Sequence, residues 1–426
     1  MNSDVCEISP PSSLWLPWRP VEGESLYFTR GEGYRVYDSN ERPYIDCNSG
    51  ALNAICGFGR DDLALAATKQ MARLSNYDMS VAANEPAMEL SSRLQHLLPS
   101  PLASIFFANS GSEANEAAIR MCLDYWTNRG EPKTRIISFA PGYHGTTALT
   151  QHLSGLPLLK HPYHAPLPVT RVELPALGEA VRSRAGLQTL LDSFEKALSN
   201  ESAGRAAGVV VEPFLNVGGG VRLPDGFLRG LRSLCDKYEA LLIVDEVFTG
   251  MGRSGRMFAV EHENVTPDIM TISKGMTGGY VPLSAVAATE TIHESFRGQY
   301  PLAGLRYGHT TSGHATACAV ALEVLNIMER EAIVSNARQQ GEALLERLRP
   351  LTCLDHVQDV RGLGLIAVVE MTDQRAAALV LQRARELGVI LRSQGASVMA
   401  APPLVIDTSG ISQMTFVIQE SVKGIQ

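Results

Sequence analysis

Lys274 lies in the stretch TISKGMTGGYVPLSAV, between an apolar run and a cluster of glycines. A lysine in this position is either a solvated surface charge or an amine that holds a cofactor. A lysine crowded by apolar residues loses proton affinity and becomes a nucleophile. The stretch alone leaves both interpretations open, so the choice depends on the chemistry of the residues that would surround it.

Two acidic residues, Asp245 and Glu246, directly follow the apolar run ALLIV. A carboxylate at the end of a buried strand costs free energy unless it has a partner. That partner could be a metal ion or a buried cationic side chain. It could also be a heterocyclic nitrogen, which the carboxylate would keep protonated.

The stretch SIFFANSGSEANEAAIRMC predicts a strand, a turn NSGS and a helix that starts near Glu113. Ser110 and Glu113 have the spacing of a capping box. Gly111 lets a ligand approach the backbone, and the free N–H groups of a helix start, with the hydroxyls of Ser110 and Ser112, suit a phosphate. The alternative is a helix cap without a ligand.

Two further strand ends carry Tyr143, in SFAPGYHGTT, and Glu212, in GVVVEPF. Tyr143 could stack on a planar ring or be structural, and Glu212 is a second partly buried acid. Ligands bind at the carboxyl ends of strands in open α/β sheets. A phosphate turn, a stacking tyrosine, a carboxylate for a ring nitrogen and a nucleophilic lysine together describe a pyridoxal phosphate (PLP) site.

The elements that would position these residues are those of an α/β protein. Short, nearly continuous apolar runs alternate with helical stretches, which indicates a parallel sheet covered on both faces. The predicted strands are 104–108, 135–140, 208–214, 240–248 and 268–273. The segment 155–187, rich in Pro and His, is predicted to be a loop. We expect a large domain over 56–316 and a small α+β domain built from 1–55 and 317–426, with a long helix starting near 317.

Composition excludes several other classes. The 426 residues are 45% hydrophobic and 19% charged, with a formal net charge of −8, which disfavours nucleic acid and anionic membranes. No apolar run approaches the roughly 18 residues of a membrane span, and the N-terminus lacks the pattern of a signal peptide. The seven cysteines form no C-x-x-C pair, so neither a zinc site nor a disulfide framework is expected. We expect a soluble cytoplasmic protein.

The ordered motifs of the chain resemble those of the class III PLP-dependent aminotransferases of fold type I, over nearly the whole length. The motifs are FFANSGSEANEAAIR, GYHGTT, VVVEPF, IVDEVFTGMGRSG, ISKGMTGGYVPLSAV, GHTTSGHATACAVAL, VRGLGLI and APPLVI. Within the family they look most like the ω-amine:pyruvate and diaminopelargonate branch. The resemblance implies a mostly parallel sheet flanked by helices, a smaller α+β domain, and ping-pong transfer of an amino group from an amine or amino acid to a keto acid, aldehyde or ketone.

The resemblance also implies roles for residues. Lys274 would form the Schiff base with PLP and act as general acid and base, and Asp245 would pair with the pyridine nitrogen. The other implied cofactor contacts are Gly111, Ser112, Tyr143, Glu212, Val247 and Thr310, and the implied substrate contacts are Trp18, Tyr143 and Arg392. Thr310 would reach the phosphate held by the neighbouring subunit, so a homodimer is implied. Arg392 would bind a substrate carboxylate.

Some residues depart from the family pattern, and other functions stay open. Val217 and Phe248 stand where ornithine and γ-aminobutyrate aminotransferases usually have Glu and Gln, which disfavours the terminal-amine substrates of that branch; His309 also departs from the usual residue. The same site could serve a racemase, an aminomutase or a lyase. A non-catalytic PLP-binding regulator would need a basic helical DNA-binding unit, which residues 1–50 do not offer. A dinucleotide-binding dehydrogenase would need G-x-G-x-x-G after its first strand, which NSGSEA does not match.

Overall fold

The protein is described here from a computed structural model. The structure describes residues 7–8, 10–11, 13–18, 23, 25–156, 159, 167–174, 179–202, 204–298 and 303–425.

The described strands are β1 (Glu7–Ile8), β2 (Ser25–Leu26), β3 (Phe28–Glu32), β4 (Arg35–Asp38), β5 (Pro43–Asp46), β6 (Leu102–Ala108), β7 (Arg135–Phe139), β8 (Val169–Val172), β9 (Ala206–Val211), β10 (Phe214–Leu215), β11 (Val221–Arg222), β12 (Leu241–Asp245), β13 (Ile269–Ile272), β14 (Ser284–Thr289), β15 (Val357–Gly362), β16 (Ala367–Met371), β17 (Val389–Ile390), β18 (Arg392–Gln394) and β19 (Ser397–Ala400). The helices are α1 (Ser49–Leu52), α2 (Asp61–Arg73), α3 (Glu85–Leu97), α4 (Gly111–Asn128), α5 (Ala148–Leu153), α6 (Glu179–Arg182), α7 (Arg184–Ser199), α8 (Phe227–Lys237), α9 (Glu290–Glu294), α10 (Ala315–Arg330), α11 (Ile333–Leu348), α12 (Gln374–Glu386) and α13 (Thr408–Lys423).

The largest sheet has the strand order β6-β14-β13-β12-β9-β7-β8. The pairs β13–β12, β12–β9, β9–β7 and β7–β8 are parallel, whereas β14 is antiparallel to both of its neighbours. Alternate residues of β12 enter different apolar clusters: Ile243 packs on the face covered by α4, and Val244 packs on the opposite face. Helices therefore cover both faces of a mostly parallel sheet, as predicted, and the five predicted strands correspond to β6, β7, β9, β12 and β13.

Two local predictions were wrong, and one strand was missed. Strand β8 and helix α6 lie in the segment 155–187, which was predicted to be a loop. Strand β8 pairs on one side only, and its sequence VTRV includes the polar residues Thr170 and Arg171, so it forms no continuous apolar run. Parts of that segment lie outside the described residues. The antiparallel strand β14 was not predicted. The long helix expected from 317 is two helices, because Ala332 adopts a left-handed backbone (φ 50°) between α10 and α11.

Two four-stranded sheets have the orders β17-β5-β4-β3 and β15-β16-β19-β18. In the first, β17 pairs in parallel with β5, so Val389 lies opposite Ile45 and the N-terminal strands share a sheet with a C-terminal one. The division of the chain into domains at 56 and 316 stays a prediction. Within the described residues, no helix is both long and apolar enough to cross a membrane.

Candidate active site

A cavity of about 130 Å³ lies at the carboxyl ends of the parallel strands. Asp245 is the last residue of β12, and Glu212, Tyr143 and Lys274 follow β9, β7 and β13 within a few residues. The cavity is lined by Gly111, Ser112, Asn115, Tyr143, His144, Gly145, Glu212, Asn216, Asp245, Val247, Phe248, Ser273 and Lys274. The fold thus brings together in one cavity seven of the residues that the sequence singled out.

The carboxylate of Asp245 is buried, with 4% of the residue exposed. Its Oδ2 accepts hydrogen bonds from Asn115 Nδ2 at 2.7 Å and pairs with His144 Nδ1 at 2.9 Å. Its Oδ1 accepts from the backbone N–H of Val247 at 3.0 Å. Among the described residues, no lysine or arginine forms an ion pair with this carboxylate. Asp245 is therefore a fixed, buried acceptor that is available to a cationic group in the cavity.

Lys274 starts a short 3-10 turn, Lys274–Thr277, directly after Ser273. Its backbone lies in the left-handed region (φ 38°), a conformation that costs free energy for a residue with a side chain and often occurs at functional sites. Burial lowers the pKa of Lys274, and the neighbouring charge of Arg392 lowers it further, whereas Asp245 opposes the change. A lowered pKa makes the neutral, nucleophilic amine more available.

The start of α4 forms the predicted turn beside the cavity. Ser110 is the N-cap, and its hydroxyl accepts a hydrogen bond from the N–H of Glu113 at 3.2 Å. The Glu113 carboxylate accepts from the N–H of Asn109 at 2.8 Å, one residue earlier than a capping box requires. A Cβ on Gly111 would lie 2.8 Å from Cγ1 of Val247, so only glycine fits at this contact. Helix α4 begins at Gly111, two residues earlier than predicted. Its first residues, Gly111 and Ser112, line the cavity, so N–H groups of the first helical turn lie beside it.

The backbone of Gly145 (φ 130°) closes the cavity on the side of Ser112. A Cβ on Gly145 would lie 2.5 Å from Oγ of Ser112. The Ser112 hydroxyl accepts a hydrogen bond from the N–H of Thr146 at 3.1 Å. The turn after β7 is thereby joined to the first turn of α4, and Ser112 is held in place beside the cavity.

Glu212 is buried beside Tyr143. Its carboxylate accepts hydrogen bonds from the N–H of Tyr143 at 3.0 Å and from the N–H of Asn216 at 3.3 Å. Burial raises the pKa of Glu212 to about 7, although the neighbouring His144 lowers it in part. Burial also raises the pKa of the Tyr143 phenol. Glu212 thus joins the backbones of two loops that line the cavity.

The structure does not bring the remaining predicted residues into the cavity lining. Arg392 lies outside the lining but close enough to Lys274 and Tyr143 to lower their pKa values, and its guanidinium has no hydrogen bond or ion pair with any described residue. Burial lowers the pKa of Arg392 itself. Thr310 is exposed, and Trp18 is exposed over 66% of its surface. Neither lines the cavity of the single chain.

Sequence reasoning missed the side chains that hold Asp245. Asn115 donates to Asp245 and to the carbonyl of His144, and its own Oδ1 accepts from the Thr271 hydroxyl at 2.9 Å. His144 has a buried Nε2 with no partner among the described residues. In the sequence, His144 could have been recognised as a site residue because it directly follows Tyr143. Asn115 gave no signal, because a polar residue in the second turn of a helix is ordinarily solvated.

Glu246, the second acid after β12, belongs to the protein interior. It is fully buried, and its carboxylate accepts hydrogen bonds from the hydroxyl of Thr249 and from the N–H of Val260. Burial raises the pKa of Glu246 to about 7. Among the described residues there is no cluster of His, Cys, Asp or Glu that could hold a metal ion.

Comparison with known proteins agrees with this geometry. The family model of the class III aminotransferases matches residues 19–422. The chain belongs to the class III aminotransferases. The family prediction from the motifs is therefore confirmed, and so are the predicted PLP cofactor and the transaminase activity.

Three relatives illustrate the likeness of this class III aminotransferase. The adenosylmethionine-8-amino-7-oxononanoate aminotransferase of Geobacter sulfurreducens is 33% identical, over 96% of this chain and 95% of the relative. The putrescine–pyruvate aminotransferase of Pseudomonas aeruginosa is 31% identical, over 91% of this chain and 88% of the relative. The structure of the ω-transaminase from Pseudomonas jessenii in complex with PMP superposes with a TM-score of 0.91 at 31% identity, covering 97% and 96%. These likenesses favour transamination over the racemase, aminomutase and lyase alternatives.

The residues of the cavity fit PLP. A buried carboxylate that no described lysine or arginine pairs with suits a protonated ring nitrogen. The glycine at position 111, which leaves no room for a Cβ, together with the exposed N–H groups of a helix start, suits a phosphate. A lysine with a lowered pKa in the same cavity suits a Schiff base.

Proposed function

We propose that Lys274 and Asp245 are the catalytic pair of this transaminase. The observation that carries the proposal is their presence in one cavity. The carboxylate is buried and pairs with no described lysine or arginine, and the pKa of the amine is lowered. When bound, PLP supplies a ring that accepts the electron pair left behind as a proton leaves the substrate carbon. Lys274 Nζ would take that proton from the substrate and act as its carrier, first as general base and then as general acid.

The other lining residues hold the cofactor in this proposal. The N–H groups at Gly111 and Ser112 and the Ser112 hydroxyl bind the phosphate. Tyr143 and Val247, which both line the cavity, would pack against the ring. Glu212 supports Tyr143 through its backbone N–H. Asn115 and His144 keep the Asp245 carboxylate oriented, since both contact the same oxygen.

The substrates in this proposal are an amine or amino-acid donor and a keto acid, aldehyde or ketone acceptor. Arg392 binds the carboxylate of an acceptor or amino acid, because its guanidinium lies close enough to act on Lys274 and has no hydrogen-bond partner among the described residues. Its long side chain can move away when the substrate has no carboxylate. Trp18, which is exposed in the single chain, completes the substrate pocket at the subunit boundary.

The enzyme acts as a homodimer in this proposal, with Thr310 of one subunit reaching the phosphate held by the other. Thr310 is exposed. Next to it, the segment around Met79 packs against Gly313 and carries exposed apolar side chains, among them Tyr77 (48%) and Val81 (70%). Burying such a patch favours association.

A cytoplasmic location also belongs to the proposal, and the free thiols of the described cysteines are consistent with a reducing compartment.

A single-turnover experiment tests the catalytic assignment. PLP-loaded enzyme is mixed with an amine donor in the absence of an acceptor, and the carbonyl product is quantified. We expect about one equivalent of product per active site from the wild type and none from Lys274→Ala. Lys423→Ala, which removes an exposed lysine far along the chain, is the control and should match the wild type. Near wild-type product formation by Lys274→Ala would contradict the assignment.

A further inference from the structure

A second polar cavity, of about 230 Å³, is lined by four arginines: Arg182, Arg222, Arg349 and Arg361. They come from separate parts of the chain. Arg182 ends α6, and Arg222 ends β11 of the hairpin that follows Glu212. Arg349 directly follows α11, and Arg361 lies in β15. None of the four lines the active-site cavity.

Two of the four guanidiniums are already paired. Arg182 forms two hydrogen bonds to Asp359, at 2.9 and 3.0 Å. Arg361 is buried and bonds to Asp359 at 2.9 Å and to Glu370. Burial alone would raise the pKa of Asp359, but the hydrogen bonds from Arg182 and Arg361 outweigh it and lower that pKa. Both carboxylates are therefore engaged and cannot neutralise further charge in the cavity.

The other two guanidiniums are available. Arg222 pairs at 3.1 Å with Asp225, whose side chain is 88% exposed, so this ion pair is weak. Arg349 is exposed, and its guanidinium has no hydrogen bond or ion pair with any described residue. Four guanidiniums thus face two buried carboxylates and one solvated carboxylate. The cavity keeps an excess of positive charge on arginine forks that match the oxygens of phosphate.

The cavity is also rigid on its inner side. Arg361 donates from Nε to the carbonyl of Gly220 at 2.6 Å, and from Nη2 to the carbonyl of Gly219 at 2.7 Å and to the Ser397 hydroxyl at 3.1 Å. These bonds tie β15 to the β10–β11 hairpin. A fixed inner wall with two adjustable arginines at the rim is the arrangement that binds an anion with little loss of backbone entropy.

We propose that this cavity binds a phosphate group, free or as a monoester, with Arg222 and Arg349 as its principal ligands and Arg182 at its side. The bound group would join the hairpin that carries Arg222 to the end of α11, next to Arg349. The site is separate from the one that holds the cofactor phosphate at Gly111 and Ser112.

Titration calorimetry on the PLP-saturated enzyme tests the proposal, because the cofactor site is then closed to added phosphate. Inorganic phosphate and glycerol 3-phosphate are titrated separately at constant ionic strength with chloride. We expect saturable binding of at least one of them, with Kd raised about tenfold in Arg222→Ala and in Arg349→Ala. The Kd of Arg349→Lys should lie between those of the wild type and Arg349→Ala, since lysine keeps the positive charge but lacks the two parallel N–H donors of a guanidinium.

Arg347→Ala is the matched control, because Arg347 is an exposed arginine of α11 that does not line the cavity. Its Kd should equal that of the wild type. Absence of binding by both phosphates would refute the proposal. An equal Kd in the wild type and in Arg349→Ala would also refute it, by showing that phosphate binds elsewhere. If only the monoester binds, and with the expected sensitivity to Arg349, the site takes a phosphorylated metabolite rather than the free ion.

Discussion

At the scale of single residues, the environment of Asp245 gives it a different role from its neighbour Glu246. Both carboxylates are buried, but Asp245 faces the cavity and Glu246 bonds only inside the protein. We expect Asp245→Asn to lower kcat on the order of 10³-fold, because an amide cannot keep a ring nitrogen protonated. Glu246→Gln, which also turns a buried carboxyl into an amide, should keep kcat within about threefold. Steady-state kinetics of the two PLP-loaded variants, with PLP content measured, make the comparison.

The outcome separates electronic from structural effects. If the two variants lost activity equally, burial of the carboxyl rather than its contact with the cofactor would explain the loss. A decrease of less than tenfold in Asp245→Asn, with full PLP content, would mean that the ring nitrogen has another partner.

Glu246 should also make stability depend on pH. Its pKa is raised from 4.5 to about 7 by burial, so the folded protein favours the neutral carboxyl. Between about pH 4.5 and 7 the unfolded chain ionises while the folded carboxyl stays neutral, and stability falls as pH rises through this window. Since one pKa unit corresponds to about 1.4 kcal/mol, the loss attributable to Glu246 is about 3–4 kcal/mol. The substitution Glu246→Gln removes this pH-dependent loss of stability, because an amide does not ionise.

Urea unfolding at pH 5, 6, 7 and 8 measures this effect as the difference in free energy of unfolding between the wild type and Glu246→Gln. We expect the difference to move in favour of the variant as pH rises to about 7 and then to level off. Glu212 has a similarly raised pKa and is present in both proteins, so its contribution cancels. Parallel curves for the two proteins would show that Glu246 is already ionised in the fold.

At the scale of elements, the start of α4 depends on a contact between Gly111 and Val247. A Cβ at position 111 would lie 2.8 Å from Cγ1 and 3.2 Å from Cγ2 of Val247, so Gly111→Ala forces either the helix start or the loop after β12 to move. Overpacking of this kind costs about 1–3 kcal/mol. We expect PLP to bind about tenfold or more weakly in Gly111→Ala, measured by equilibrium titration of the apoenzyme.

Val247→Ala provides the rescue, because it removes the two methyl groups that the new Cβ would meet. The double variant Gly111→Ala/Val247→Ala should bind PLP more tightly than Gly111→Ala alone. If the double variant were the weaker of the two, the losses would be independent, and the close contact would not be the cause of the defect.

The elements also show how far the sequence could predict the molecule. Buried parallel strands give strong apolar runs, so β6, β7, β9, β12 and β13 and the residues at their ends were found. The edge strand β8, with the sequence VTRV, was not recognised because two of its four residues are polar and break the apolar run. The bend at Ala332 has no marker, because alanine rarely takes a left-handed backbone. Asn115 and His144 could not be found as partners of Asp245, since only the folded sheet brings β12, α4 and the turn after β7 together.

At the scale of the whole molecule, the proposed dimer makes each active site depend on two chains. Thr310 and Trp18 are exposed and do not line the cavity of the single chain, as expected of residues that act across a boundary. No single-chain feature of the sequence could separate such residues from ordinary surface positions. Their assignment came from the family resemblance alone, and a mixed dimer is the way to test it.

Mixed dimers of Thr310→Ala and Lys274→Ala distinguish a shared site from a site within one chain. We expect Thr310→Ala alone to bind PLP more weakly, by the roughly 1.5–3 kcal/mol of a hydrogen bond to a charged group, and Lys274→Ala alone to be inactive. In a mixed dimer with a shared site, the Thr310→Ala subunit keeps its own Lys274 and receives Thr310 from the other chain. One of the two sites is then complete, so activity at low PLP concentration should rise to about half that of the wild-type dimer. With a site inside one chain, the same mixture would contain no complete site.

Differently tagged chains that are co-expressed and purified by both tags give the mixed dimer, and the wild type prepared with the same two tags is its control. Activity at low PLP no higher than that of the Thr310→Ala homodimer would place Thr310 in its own subunit's site or outside any site.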